Sequence, residues 1–94
     1  MKDKLTFTLF TPECSFTPVE CDSVKLSVAD SISGKFSGSY GIRKGHAAAV
    51  LALAPGKNTV SLEGQAIFSF ESQGGFAAVE NNIVRVISDG VNIL

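Results

Sequence analysis

Short segments in which apolar and polar residues alternate recur along the whole chain, and turn-forming residues separate them. Leu5, Phe7 and Leu9 alternate with threonines, and the same period of two continues from Val24 to Val28. A period of two places successive side chains on opposite faces of an extended strand, which predicts half-buried β-strands. Because the segments are short and closely spaced, the sequence predicts an all-β protein, an antiparallel β-sandwich of about 8–10 short strands.

The second half of the chain carries the clearest hairpin signals. The alternating segments 59–63 and 66–70 flank Gly64-Gln65, which predicts one hairpin. Asn81-Asn82 precedes the almost wholly apolar segment Ile83–Ile87, which predicts a two-residue turn followed by a central strand. Asparagine and glycine suit these turns because they tolerate a left-handed backbone.

The segment Gly38–Gly56 combines three closely spaced glycines, the only histidine and the longest apolar run of the chain. We interpret it as a tight turn that leads into a strand and displays Tyr40, Arg43, Lys44 and His46. The run Ala47–Ala54 is rich in helix-favouring residues, but between Gly45 and Pro55 it would form barely two helical turns. It is therefore predicted as a strand buried on both faces.

Serine and glycine dominate residues 30–39, which predicts a loop. Phe36 is the only aromatic residue predicted in this loop. Two orientations remain open for it: the ring packs back against the core, or it projects towards a partner.

Composition narrows the classes of function. The 94 residues make one domain, residues 1–94, and the net charge of -1 with scattered cations excludes a nucleic-acid footprint. The longest apolar run is far shorter than the ~20 residues of a spanning helix, so neither membrane insertion nor a signal peptide is expected. We interpret Cys14 and Cys21 as reduced and structural, because two cysteines alone support neither a disulfide framework nor a metal site.

His46 is the only side chain whose ordinary pKa lies near neutrality. Three roles remain open for it: a general base, a metal ligand, or a side chain that fixes a turn by hydrogen bonding. A single imidazole without neighbouring ligands or a nucleophile favours the third role. The sequence therefore predicts no catalytic residue, no metal and no cofactor.

The segment Gly41-Ile42-Arg43-Lys44-Gly45-His46-Ala47, continuing to Pro55-Gly56, resembles the GI-x-PGHAP…PG segment of the epsilon subunit of F-type ATP synthases, called delta in mitochondria. Phe16 to Val19 resembles the family's F-x-G-x-V motif, and the strand 24–28 follows in the same order. Gly74-Gly75-Phe76 with 83–89 resembles its GG(I/F)-x-x-V…V-x-V-x-x-(D/E) hairpin. The resemblance covers nearly the whole chain and implies the family's N-terminal β-sandwich.

Three departures from the family pattern bear on function. Lys44 and Ala48 replace the two prolines of the glycine-histidine segment, so the turn is less rigidly preset. The predicted loop 30–39 is a few residues longer than in the family. The sequence ends at Leu94, where the family's C-terminal helical hairpin would begin, so we expect no inhibition of ATP hydrolysis through those helices.

The resemblance implies a non-catalytic central-stalk (rotor) subunit that links the gamma subunit to the membrane c-ring. It would couple proton or sodium translocation to ATP synthesis or hydrolysis. Mapped on this sequence, Arg43, Lys44 and His46 would face the gamma subunit, while Lys35, Phe36, Ser37 and Tyr40 would face the c-ring. The implied location is peripheral, at the cytoplasmic face of a bacterial plasma membrane.

Two other classes of function fit the composition. One is a free-standing β-sandwich that binds a peptide or a carbohydrate and would ignore a gamma subunit. The other is a small enzyme that uses His46. Neither accounts for the ordered series of family motifs.

Overall fold

The structure is a computed structural model that describes residues 4–13, 15–30 and 36–94. These ranges contain ten β-strands and no helix, which confirms the predicted all-β class. No described part of the chain forms a helix long and apolar enough to cross a bilayer. The strands are β1 Leu5–Phe10, β2 Val19–Cys21, β3 Ser23–Ala29, β4 Phe36–Arg43, β5 Ala49–Leu53, β6 Gly56–Leu62, β7 Gln65–Ser72, β8 Gly75–Glu80, β9 Ile83–Ile87 and β10 Val91–Ile93.

The strands form two facing layers. One layer has the order β2-β1-β9-β8-β5 and the other β10-β7-β6-β3-β4, with β3 joined to β5 by the pair Val28–Leu53. The ring of Phe7 on β1 lies 6.1 Å from that of Phe68 and 5.8 Å from that of Phe70, both on β7. Since β1 and β7 are not neighbours in the sheet, these contacts bridge the two layers and define a sandwich.

One strand pair departs from the predicted antiparallel arrangement. β1 runs parallel to β9, with Thr6 opposite Ile83 and Phe10 opposite Ile87. The remaining pairs between the strands above are antiparallel. β1 and β9 lie far apart in the sequence, so no short hairpin dictates their relative direction.

The core consists of the alternate apolar residues that the period of two predicts to face inward. Leu5, Phe7 and Leu9 on β1 are buried, and so are Val24 and Leu26 on β3. Each such side chain contributes about 1.5–3 kcal/mol when it leaves water. The remaining members of this cluster are Cys21, Ile42, Leu53, Val60, Phe70, Ala77, Val79, Val84 and Val86.

A buried polar cluster occupies the point where β3 leaves β6 and joins β5. The last pair of β3 with β6 is Lys25–Thr59. Beyond it, the Asn58 Oδ1 atom accepts a hydrogen bond from the Ser27 backbone N–H at 2.8 Å. The Asn58 amide also donates to the Ser72 hydroxyl at 3.3 Å. Asn58 thus satisfies a backbone group that the diverging strands leave unpaired.

The turns of both predicted hairpins use a left-handed backbone. Asn81 and Asn82 have φ angles of 51° and 61°, as the sequence predicts. In the other hairpin the turn consists of Glu63 and Gly64, with φ angles of 53° and 80°. This turn lies one residue earlier than predicted, because Gln65 already pairs with Leu62.

The predicted loop 30–39 is wrong for residues 36–39, and the tight turn predicted at the start of the segment Gly38–Gly56 is wrong for residues 38–43, because all of them belong to β4. The strand pairs with β3 from Ala29–Phe36 to Ser23–Arg43, and a register shift between Val28 and Ala29 leaves Ser37 without a partner on β3. The strand is held by this pairing and not by its own hydrophobic pattern, so serine and glycine mislead the prediction. Residues 31–35 lie outside the described ranges.

The prediction that residues 47–54 form a strand holds for β5, but burial on both faces is wrong. Val50 is 74% exposed, whereas Leu53 is buried. Each layer of the sandwich has one face towards the core and the other towards solvent, so the side chains of β5 alternate between the core face and the solvent face. The run of alanines hides this alternation in the sequence.

Cys21 confirms the interpretation as a reduced structural residue. Its thiol is free and buried, and burial with the nearby Asp22 carboxylate raises its pKa to about 11. Such a thiol remains protonated and unreactive at neutral pH. Cys14 lies outside the described residues.

Candidate interaction surfaces

Apolar side chains form a row across the outer face of the layer that contains β5, β8, β9 and β1. Ala52 lies opposite Phe76, Phe76 opposite Ile87, and Ile87 opposite Phe10. We call these four residues the apolar ladder. Phe76 is 61% exposed, Ile87 58% and Phe10 40%. Contiguous exposed apolar residues of this kind mark interaction sites in soluble domains.

A second row continues the same face towards the turn between β4 and β5. Val50 lies opposite Ala78, Ala78 opposite Arg85, and Arg85 opposite Thr8. Val50 also lines a shallow depression of about 440 Å³ with Ala78 and Glu80. The small alanine side chains create this depression, which could receive a protruding side chain of a partner.

Sequence reasoning missed the apolar ladder, although one signal was present. Arg85 shares its strand face with Ile83 and Ile87, because residues two positions apart point the same way. The exposure of Arg85 therefore places Ile87 on the outer face as well. The interpretation of 83–87 as an almost wholly apolar central strand did not consider its outer face.

The turn between β4 and β5, which we call the basic turn, consists of Arg43, Lys44, Gly45 and His46. Its backbone closes through a bond from the His46 N–H to the Arg43 carbonyl at 3.1 Å. Gly45 has a φ angle of 84°, which a glycine adopts without strain. The Gly45 N–H donates to the Asn82 Oδ1 atom at 2.8 Å. This bond ties the basic turn to the turn between β8 and β9.

Both ring nitrogens of His46 have hydrogen-bond partners. The Nδ1 atom lies 2.7 Å from the Ala47 carbonyl, and the Nε2 atom lies 2.8 Å from the Tyr40 hydroxyl. A carbonyl can only accept, so the Nδ1–H donates to it, and in the neutral form of that tautomer the Nε2 atom accepts a hydrogen bond from the Tyr40 hydroxyl. Three roles were left open for His46, and these hydrogen bonds fit the third, in which the side chain fixes a turn.

Tyr40 supports this arrangement from the inner side of β4. It is half-buried and packs against the hydrophobic core. Its ring meets the His46 ring edge to face, with 5.5 Å between the ring centroids. The phenol therefore connects the basic turn to the core and holds the imidazole in one orientation.

Comparison with known proteins assigns the family. The family described as "ATP synthase, Delta/Epsilon chain, beta-sandwich domain" matches residues 4–92. This chain belongs to the ATP synthase delta/epsilon family. The match spans all ten strands except the last residue of β10.

Two solved structures of low sequence identity share the fold of this family member. A chain of the Euglena gracilis mitochondrial ATP synthase (OSCP/F1/c-ring, rotational state 1) superposes with a TM-score of 0.82 at 21% identity, over 99% of this chain and 55% of that chain. A chain of the Tetrahymena thermophila mitochondrial ATP synthase (central stalk/c-ring) gives 0.72 at 18% identity, over 97% of this chain and 67% of that chain. This chain thus spans about half the length of the first relative.

Most of the described residues expected to bind partners in this delta/epsilon chain lie at the two ends of β4, and Tyr40 lies between them. Arg43 and Lys44 are exposed at one end, and His46 is half-buried beside them. Ser37 is exposed at the other end, which is about 20 Å away for a strand of this length. The Phe36 backbone begins the strand, while its side chain and Lys35 lie outside the described residues.

The carboxylate of Asp22 joins two other segments of the chain at the same end of the sandwich as the basic turn. The Asp22 carboxylate accepts hydrogen bonds from the Glu63 N–H at 2.6 Å and from the Lys4 ammonium at 3.1 Å. The Glu63 N–H is the main cause, and the Lys4 hydrogen bond the second, of a pKa below the usual range for Asp22. This carboxylate ties the hairpin β6–β7 to β2 and to the residue before β1.

Proposed function

We propose that this chain is a non-catalytic rotor subunit of the central stalk of an F-type ATP synthase. It joins the gamma subunit to the membrane c-ring and thereby couples ion translocation to ATP synthesis or hydrolysis. The observation that carries the proposal is the apolar ladder on the outer face of a closely packed sandwich, in a chain of the delta/epsilon family. A close-packed body suits this role because it transmits strain with little deformation.

The gamma subunit would cover the apolar ladder and reach the basic turn. Burial of an exposed side chain such as Ile87 would contribute about 1.5–3 kcal/mol to binding. Arg43, Lys44 and His46 would lie at one border of this contact, where Arg43 and Lys44 remain exposed. The aliphatic and aromatic centre with a charged border matches the usual anatomy of a protein interface.

The c-ring would contact the opposite end of β4, around Lys35, Phe36 and Ser37. Tyr40 was expected in this contact as well. Since its hydroxyl is bonded to His46 and its ring packs on the core, we assign it a positioning role. The location would be peripheral to the membrane; the two similar structures are mitochondrial, so they lend no support to a bacterial plasma membrane.

The decisive experiment measures binding of the chain to the gamma subunit of the same synthase by calorimetry. Ile87→Ser should weaken binding about tenfold or more, because it removes apolar area from the contact. Ile67→Ser is the matched control, since Ile67 is also exposed, 44% against 58% for Ile87, but lies on the other layer. Equal affinities for both variants, or no binding of the unchanged chain, would refute the proposal.

A functional assay complements the binding experiment. Addition of the chain to a synthase depleted of this subunit should restore ATP-driven ion pumping, and the Ile87→Ser variant should restore less of it. A free-standing peptide- or carbohydrate-binding module would leave pumping unchanged.

A further inference from the structure

β4 forms the longest open edge of the sandwich among the described residues. It pairs with β3 on one side and with no described strand on the other. Of the other edge strands, β2 and β10 have three residues each and β5 has five, of which only Leu53 pairs with β3, whereas β4 has eight. Natural proteins commonly shorten or cover sheet edges, because unpaired backbone groups there recruit other strands.

Hydrogen bonds of β3 show which backbone groups of β4 face this open edge. The Ser27 N–H donates to Asn58, and the Ser27 carbonyl accepts from the Ala54 N–H at 3.0 Å. Both groups of Ser27 thus point away from β4. Because backbone direction alternates along an antiparallel pair, Ser39, which lies opposite Ser27, directs its own groups away from β3.

The same alternation applies two residues along. Gly41 lies opposite Lys25, so its N–H and C=O point to the open edge together with those of Ser39. These two residues present four backbone hydrogen-bonding groups in the spacing of a regular strand. No other described strand uses them.

The side chains of β4 leave the edge accessible. Between Phe36 and Ile42 the strand contains neither a proline nor a charged residue. Ser37 and Ser39 are small and exposed, and a Cβ atom added at Gly38 or Gly41 would meet nothing within 4 Å. The charges and prolines that protect other sheet edges are therefore missing along most of this one.

We propose that the open edge of β4 takes up an extended segment of the stalk partner as an additional strand. This inference rests on the proposed function, because β4 runs from the proposed c-ring end to the basic turn at the proposed gamma contact. The edge is continuous with that contact through Arg43. The partner is accordingly the gamma subunit and not a second copy of this chain.

The chemistry of the edge describes the segment that fits it. The segment lacks proline at the positions that bond to Ser39 and Gly41, since proline has no N–H to donate. It carries small uncharged side chains beside these two residues. Where it passes Arg43, an acidic side chain forms a favourable cross-strand pair. Backbone bonds supply the affinity, as in other cases of strand addition.

Hydrogen exchange of the Ser39 and Gly41 amides, followed by NMR in the free chain and in its complex with the gamma subunit, tests the proposal directly. Both amides should exchange rapidly in the free chain and at least tenfold more slowly in the complex. A contact through side chains alone would leave these rates unchanged.

A pair of variants gives the second readout. Gly41→Pro removes an N–H that does not bond to β3, and should weaken gamma binding about tenfold or more while the unfolding temperature changes little. Gly41→Ala retains the N–H and should bind as the unchanged chain does. If Gly41→Pro does not fold, the amide exchange rates of the unchanged chain with and without the gamma subunit test the proposal.

The outcomes separate this inference from the proposed function. Gamma binding with rapid exchange of both amides, or with full affinity in Gly41→Pro, overturns strand addition and leaves the rotor role intact. Absence of gamma binding overturns both. If both amides exchange slowly in the free chain and sedimentation gives the mass of a dimer, the edge binds a second copy of this chain. That result overturns the assignment to the gamma subunit.

Discussion

Replacement of Asn58 by alanine should destabilise the domain by about 3 kcal/mol. Asn58 is fully buried, and its side chain accepts from the Ser27 N–H at 2.8 Å and donates to the Ser72 hydroxyl at 3.3 Å. Alanine leaves the buried Ser27 N–H without an acceptor, which costs about 1–3 kcal/mol, and removes the second bond, worth about 1 kcal/mol. No strand compensates, because β3 leaves β6 at this point.

Urea unfolding at equilibrium measures this loss. With an m-value of about 1–2 kcal/mol/M for a domain of this size, the transition midpoint should fall by about 1.5–3 M. Thr59→Ala is the control, since Thr59 is the next residue of β6 and only half-buried. It should cost less than about 1 kcal/mol. A loss below about 1 kcal/mol in Asn58→Ala would refute the view that this side chain replaces missing sheet hydrogen bonds.

Three further predictions concern stability and reactivity. Gly75→Ala should cost about 3 kcal/mol or more in urea unfolding, because the residue has a φ angle of 134° and an added Cβ atom would collide with the Ile87 carbonyl; stability equal to that of the unchanged chain would contradict this. The Glu63 N–H is the main cause of the lowered pKa of Asp22, so the ionised Asp22 carboxylate stabilises the fold at pH values above its ordinary pKa of 3.8. This stabilisation is lost as the pH falls through the lower pKa of the folded state. Asp22→Asn should therefore make the melting temperature fall less steeply at acid pH, and a profile equal to that of the unchanged chain would contradict this prediction. Cys21 should resist a thiol reagent at pH 8 until the domain is unfolded, as peptide mass spectrometry can show, since burial raises its pKa to about 11; rapid labelling of the folded chain would be the contrary result.

The all-β fold could be predicted because the signals are local. Alternation in β1 and β3 and the Asn81-Asn82 turn each report on their own few residues. β4 could not be predicted, because serine and glycine favour a loop and only the partner strand β3 stabilises the extended form. Strand pairing is a long-range property that the residues of β4 do not encode by themselves.

The candidate surfaces likewise include one part that the sequence predicts and one part that it does not. The basic turn could be predicted from glycine and histidine at positions 45 and 46, and the turn-fixing role of His46 is a local geometry. The apolar ladder could not, because it arises only when β5, β8, β9 and β1 align in register. Each strand alone contributes one or two exposed residues, and a single exposed apolar residue carries no information.

The two proposed contacts would restrain the domain in different ways. The apolar ladder opposes separation from a partner, but hydrophobic attraction is non-directional and resists sliding only weakly. A strand added at β4 would instead fix position along the edge, because its hydrogen bonds are directional and a slip by one residue turns every side chain to the opposite face. A rotor subunit has to resist both separation and sliding when torque passes through it. The combination of an apolar face on one layer and an open backbone edge on the other would meet that requirement without any movement inside the sandwich.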